Sequence, residues 1–173
     1  MKHSRNAVHC LTFAAMSAAL IAVTTAYLLH LHIPITGGHA CVHLGDAMIF
    51  LSASVLPTGY ASAAAAIGGA LADLLCGSPV WIPWTFVIKA LVACLFTEKG
   101  HTLLAKRNLI SLPIACIITV FGYYCAEGFV YGNWLSPLYS VIANVLQGIA
   151  SSGLYIVIAL ILDKVQIKKQ LHF

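Results

Sequence analysis

Charge is so scarce in this 173-residue chain, 8% of residues against 61% hydrophobic, that no water-facing globule can be built from it. A soluble domain is about a quarter charged, and a mean hydropathy of +0.94 lies far to the apolar side. Lipid must therefore solvate most of the surface. A spanning helix needs roughly 17–25 residues. The apolar runs 10–29, 44–56, 60–75, 84–96, 109–129 and 138–162 predict an all-α membrane protein with six transmembrane helices. The second and fourth runs are short, which points to tilt, borrowed flanking residues or a locally thinned bilayer. None of the runs alternates apolar and polar residues as a barrel strand would.

The basic residues orient the bundle. Lys2 and Arg5 precede the first run, Lys99, Lys106 and Arg107 lie between the fourth and fifth, and Lys164, Lys168 and Lys169 follow the sixth. Segments 31–43, 76–83 and 130–137 contain no Lys or Arg. By the positive-inside rule both termini are expected to be cytoplasmic, with those three segments outside. Only Lys89 falls within a run. The net charge of +4 is accounted for by topology and implies no nucleic-acid partner. The first run is longer than the 7–15 residues usual for a signal-peptide core, so a retained helix is expected.

The whole chain, 1–173, reads as a single six-helix transmembrane domain. Helix one carries Ala14, Ala15, Ala18, Ala19 and Ala22, two rows of small residues four apart on adjacent faces. Helix three carries Ala61, Ala63 to Ala66, Gly68, Gly69, Ala70 and Ala72. Such rows let helices approach closely in lipid. On helix three, packing within the bundle is the favoured reading. On helix one, internal packing and a face kept for another membrane protein stand level. The six cysteines include no CxxC pair and read mainly as small packing residues. Cys41, Cys76 and Cys125 near the outer face leave room for one disulfide.

An ionised side chain near the bilayer centre costs about 2.5–3.5 kcal/mol, so Asp46, Asp73, Lys89 and Glu127 need explaining. All four are expected in the outer half, with nothing comparable in the inner half. Either Asp46 or Asp73 pairs with Lys89 as a structural polar network, or these groups rim an outward-facing site. Glu127 has no obvious basic partner. On helix six, Ser140, Asn144, Gln147, Ser151 and Tyr155 form one polar stripe. Amides on such a stripe can bond other helices or read the donor and acceptor edges of a heterocycle. Trp81, Trp84, Tyr131, Trp134 and Tyr139 gather at the outer ends of helices four to six. An interfacial belt should appear on both faces, so the asymmetry favours a stacking pocket for a flat ring. His30, His32, His39 and His43 leave a metal reading open, but a lid or anchoring role is preferred.

The segments HLGDAMIF, AIGGALADLL and WIPWTFVIKAL, in that order, resemble the substrate-binding S components of energy-coupling factor (ECF) vitamin transporters. The resemblance covers about residues 10–160 and is closest to the riboflavin and hydroxymethylpyrimidine branch. It implies a prokaryotic cell-membrane protein that captures a vitamin from outside. Its partners would be a transmembrane coupling protein and two ATPase subunits. It also implies substrate contacts at Trp84, Lys89, Glu127, Tyr131, Tyr139, Asn144 and Gln147. Asp46 and Asp73 would be scaffold, and Ala14, Ala18 and Ala22, or Ala15 and Ala19, the docking face. Gln147 stands at a position resembling one where riboflavin binders carry a lysine. That places a hydroxymethylpyrimidine- or pyridoxine-like ring ahead of riboflavin or a queuine-like base. No phosphate-binding GxxxxGK[ST] loop and no nucleophile–base pair is present. The expectation is therefore a non-enzyme without cofactor or resident metal. A metal-uptake component and a non-binding structural subunit are the competing readings.

Overall fold

The structure, a computed structural model, describes residues 2–27, 30–35 and 38–170, with side chains for 7–27 and 43–170. Six main helices follow the six apolar runs: α1 (Lys2–Ala26), α2 (Gly45–Val55), α3 (Thr58–Leu75), α4 (Ile82–Cys94), α5 (Lys106–Tyr131) and α6 (Leu138–Lys164). A single 3-10 turn (Pro79–Trp81) leads into α4, and a short α7 (Ile167–Gln170) follows α6. Prolines mark the starts: Pro79 and Pro83 sit in first turns, where a missing N–H costs nothing. Gly132 ends α5 at φ 63°, the left-handed conformation that favours glycine.

The helices close into a ring. α1 packs on α2 and α3, α3 on α4, α4 on α5, α5 on α6, and α6 returns to α2. α2 also touches α3 and α4, and it buries Gly45, Asp46, Ala47, Ile49, Phe50, Ala53 and Ser54. The helices alternate in direction. One end of the bundle therefore carries residues 30–35, 38–44, 76–81 and 132–137, and the other carries the α4–α5 loop and the end of α6.

The first of those segments departs from an all-helical chain. β1 (His30–Ile35) and β2 (Gly38–His43) form an antiparallel hairpin in the register His30↔His43 to Ile35↔Gly38. β2 packs against α6 and α1. Only Leu44 separates it from α2, so the chain enters the bundle as a strand before it turns helical. At roughly 1.5 Å per residue α2 spans about 17 Å, about half a hydrocarbon core. α4 is short for a related reason: beyond Cys94 the chain stays inside, with Phe96, Thr97 and Leu103 buried. Non-helical chain thus continues both short helices, α2 at its start and α4 at its end.

At the centre Phe50 stacks on Phe96 at 5.0 Å, and Tyr155 meets both edge-on at 6.0 Å. The outward faces are apolar, with Leu11 and Met16 on α1, Ile117 and Phe121 on α5, and Ile142 and Ile149 on α6 all exposed. Among the described residues α1, α5 and α6 are long and apolar enough to cross a membrane.

Burial divides the alanines of α1. Ala14, Ala18 and Ala22 are packed in the core, whereas Ala15 and Ala19 are exposed. The first row is therefore not available as a docking face. It is occupied by α3: a Cβ on Gly68 would stand 2.7 Å from the Ala18 carbonyl oxygen, so the two backbones nearly touch. Ala18→Leu should destabilise the protein by about 1–3 kcal/mol through overpacking, while Ala19→Leu should leave Tm in detergent unchanged. Equal Tm for the two variants would rule out this packing.

Candidate functional site

The two short helices that meet below the hairpin, α2 and α4, contribute opposite charges.

 Asp46 stands in the first turn of α2 and Lys89 in the middle of α4, and Lys89 Nζ donates to Asp46 Oδ1 at 2.6 Å. Both side chains are 3% exposed, so water contributes almost nothing to their solvation. The other carboxylate oxygen, Oδ2, accepts from Gln147 Nε2 on α6 at 2.9 Å. Gln147 Oε1 in turn accepts the His43 backbone N–H at 3.5 Å. Lys89 also lies over the Tyr123 ring of α5, 5.3 Å from its centroid. Gly69 of α3 makes room for the lysine, since a Cβ there would lie 3.1 Å from Lys89 Cγ. At roughly 1.5 Å per residue Gln147 lies about 14 Å down α6 from Leu138. Asp46 is thus deeper than its place at the start of α2 implies.

Asp73 joins the edge of this group. Thr85 Oγ1, beside it, lies 3.1 Å from the Tyr123 hydroxyl. Asp73 Oδ2 is buried and has no partner among the described residues.

Nearer the hairpin end the polar groups are less fully engaged. Glu127 of α5 is half-buried and accepts from Ser140 Oγ at 2.7 Å through Oε2. Asn144, one turn further along α6 and also half-buried, has no hydrogen-bond partner among the described residues. Aromatic rings surround this end. Trp84 stacks on Phe129 at 5.8 Å and 11°, Trp134 meets Phe129 edge-on at 5.4 Å, and Trp81 meets Tyr131 at 6.0 Å. Tyr131 and Tyr139 are exposed. The seven candidates therefore fall into two sets: Lys89 and Gln147 in the buried floor, and Trp84, Glu127, Tyr131, Asn144 and Tyr139 above it. The side chains of His30, His32, His39 and Cys41 lie outside the described residues. Among the described residues no three metal-ligating side chains converge, and Cys76 and Cys125 are free thiols.

The expectation that buried polarity gathers at one end is corrected by a second network at the other. Asn108 is fully buried. Its Nδ2 donates to Ser54 Oγ and to the Thr97 and Leu103 carbonyls, and its Oδ1 accepts the Thr97 N–H. The Tyr155 hydroxyl donates to the Leu103 carbonyl at 2.7 Å and lies 2.9 Å from Ser54 Oγ. Asp163 accepts the Leu103 and Leu104 N–H groups, and Lys168 donates to the carbonyls of Glu98, Gly100 and Thr102. Asn108 directly follows Lys106 and Arg107, so its sequence context reads as a basic loop. Ser54 carried a usable signal: it stands two turns from Asp46, on the same face of α2.

A ring of membrane helices with a paired polar floor, and hydrogen-bonding groups left over among aromatic rings at one end, defines a membrane-embedded binding protein. A family model for the S component of ECF-type riboflavin transporters matches residues 5–164, and the chain belongs to that family. It is accordingly a multi-pass protein of the prokaryotic cell membrane and the substrate-binding subunit of a vitamin uptake system. Such S components work with a coupling module of ATPases and a transmembrane protein; the family is not an enzyme family. No curated protein matches the chain.

Removing one partner of a buried ion pair strands the other, which costs about 3–5 kcal/mol. Lys89→Met should therefore destabilise the protein strongly. Adding Asp46→Leu to it should recover part of the loss, as read by thermal unfolding in detergent. A double variant no more stable than the weaker single would show that the pair is not the source of the effect.

Proposed function

We propose that the chain captures a flat heterocyclic vitamin at the hairpin end, with six spans and both termini on the cytoplasmic side. The observation that carries the cargo site is the unused hydrogen-bonding capacity there. Asn144 and one oxygen of Glu127 remain free beside stacked aromatic rings, whereas Asp46, Lys89 and Gln147 beneath them are bonded to one another. Asn144 and Glu127 read the edges of the ring, and Trp84, Tyr131 and Tyr139 supply stacking surface. Lys89 and Gln147 support the site from below, together with Asp46 and Asp73. The topology is supported by the basic residues 99, 106, 107, 164, 168 and 169, which cluster at the end opposite the hairpin.

Riboflavin is the first cargo to test, because the matching family model is described by it. The lysine-to-glutamine difference at Gln147 weighs less against riboflavin once Gln147 is seen bonded to Asp46 and the hairpin. A hydroxymethylpyrimidine- or pyridoxine-like ring is the second cargo, and a queuine-like base the third. Purified protein should carry one of them in stoichiometric amount, identified by mass spectrometry after denaturation. Asn144→Ala and Glu127→Gln should each weaken binding about 10- to 100-fold, the effect of about 1–3 kcal/mol for a lost buried hydrogen bond. A protein that binds none of these compounds would favour the non-binding subunit.

The docking face that remains on α1 is the exposed row of Ala15 and Ala19. With the coupling protein and both ATPases present, Ala19→Leu should abolish uptake yet leave vitamin binding intact. Uptake at the wild-type rate would remove this row from the interface.

A further inference from the structure

We infer that Gln147 is a positioning residue that fastens the β1–β2 hairpin to the buried ion pair. The assignment rests on the proposed function only in taking the hairpin end as the binding end. Three observations carry it. Gln147 is 2% exposed, so its amide sees neither solvent nor lipid. Its two ends are divided between two elements: Oε1 accepts from the His43 backbone at 3.5 Å, and Nε2 donates to Asp46 Oδ2 at 2.9 Å. The chain between those partners is short, since β2 ends at His43 and α2 begins at Gly45. One amide thus clamps the junction where strand becomes helix.

The chemistry suits glutamine. The junction presents a backbone donor and a carboxylate acceptor, and a neutral amide satisfies both at once. A methionine of similar length fills the volume and meets neither. In its presence the His43 N–H loses the Gln147 oxygen, Asp46 loses its amide donor and keeps Lys89, and the hairpin loses its side-chain tie to α6. Asn144, three residues earlier on α6, makes no such bond among the described residues and serves as the control.

Hydrogen exchange of the full-length, vitamin-free protein in detergent tests this directly. In the wild type the His43 amide should exchange more slowly than the amides of Gly38 and Ala40. Gln147→Met should accelerate exchange across residues 38–44 at least tenfold, while Asn144→Ala leaves it unchanged. A folded Gln147→Met protein with wild-type exchange across 38–44 would overturn the inference. So would a wild-type His43 amide that exchanges as fast as those of Gly38 and Ala40, a measurement that needs no variant to fold. Because exchange is read without cargo, failure of the vitamin reading appears only in the binding assay, separately from this result.

Discussion

The ion pair between Asp46 and Lys89 sets the terms on which the rest of the bundle assembles. Either charge alone inside the membrane costs about 2.5–3.5 kcal/mol, and any packing that separates them incurs both costs. Their contact fixes α2 beside α4. Gln147 then ties α6 to the same carboxylate, Tyr123 brings α5 over the lysine, and Gly69 lets α3 close against its stem. Five of the six main helices are thereby placed relative to one side-chain contact. A hydrophobic pair of similar volume would pack as well, but it would tolerate rotations of α2 and α4 that this pair forbids.

The two ends of the bundle spend their polar groups differently. At the end with the α4–α5 loop, Asn108 makes four hydrogen bonds, Tyr155 bridges Ser54 and Leu103, and Asp163 and Lys168 hold the loop backbone. That end is a plug. Between the networks lie the rings of Phe50 and Phe96, with Tyr155 edge-on to both. At the hairpin end Asn144 and Glu127 keep capacity in reserve. An unused polar group within a bilayer is costly, so such a remainder is where a ligand gains most by binding.

Six helices were legible because apolar run length is a direct consequence of bilayer thickness, and the runs match the helix ends to within three residues except at the start of α1, which begins at Lys2 rather than Cys10. The polar stripe on α6 was legible because spacing of three and four puts Ser140 to Tyr155 on one face. Three things were not. The hairpin reads as an ordinary loop, since its strands are stabilised by each other and by α6 rather than by local propensity. Asn108 is hidden by its basic neighbours. The choice between the two alanine rows of α1 depends on α3: both rows have identical spacing, and only the contact of Gly68 with Ala18 decides which one turns inward.

The division between floor and rim bears on how cargo is chosen. Asp46, Lys89 and Gln147 hold helices together, so changing any of them to suit a new ligand would disturb the packing of several elements at once. Trp84, Glu127, Tyr131, Tyr139 and Asn144 carry little of that burden: two are exposed and the others are half-buried. On the vitamin reading, substitutions at these five positions alter recognition while leaving the ion pair intact. The same bundle then serves heterocycles of different size, with discrimination set by which edge groups meet Asn144 and Glu127 and which ring area the aromatics cover. Asp46 and Lys89 therefore belong to the scaffold, and on the same reading the identity of the cargo is written in the five residues above them.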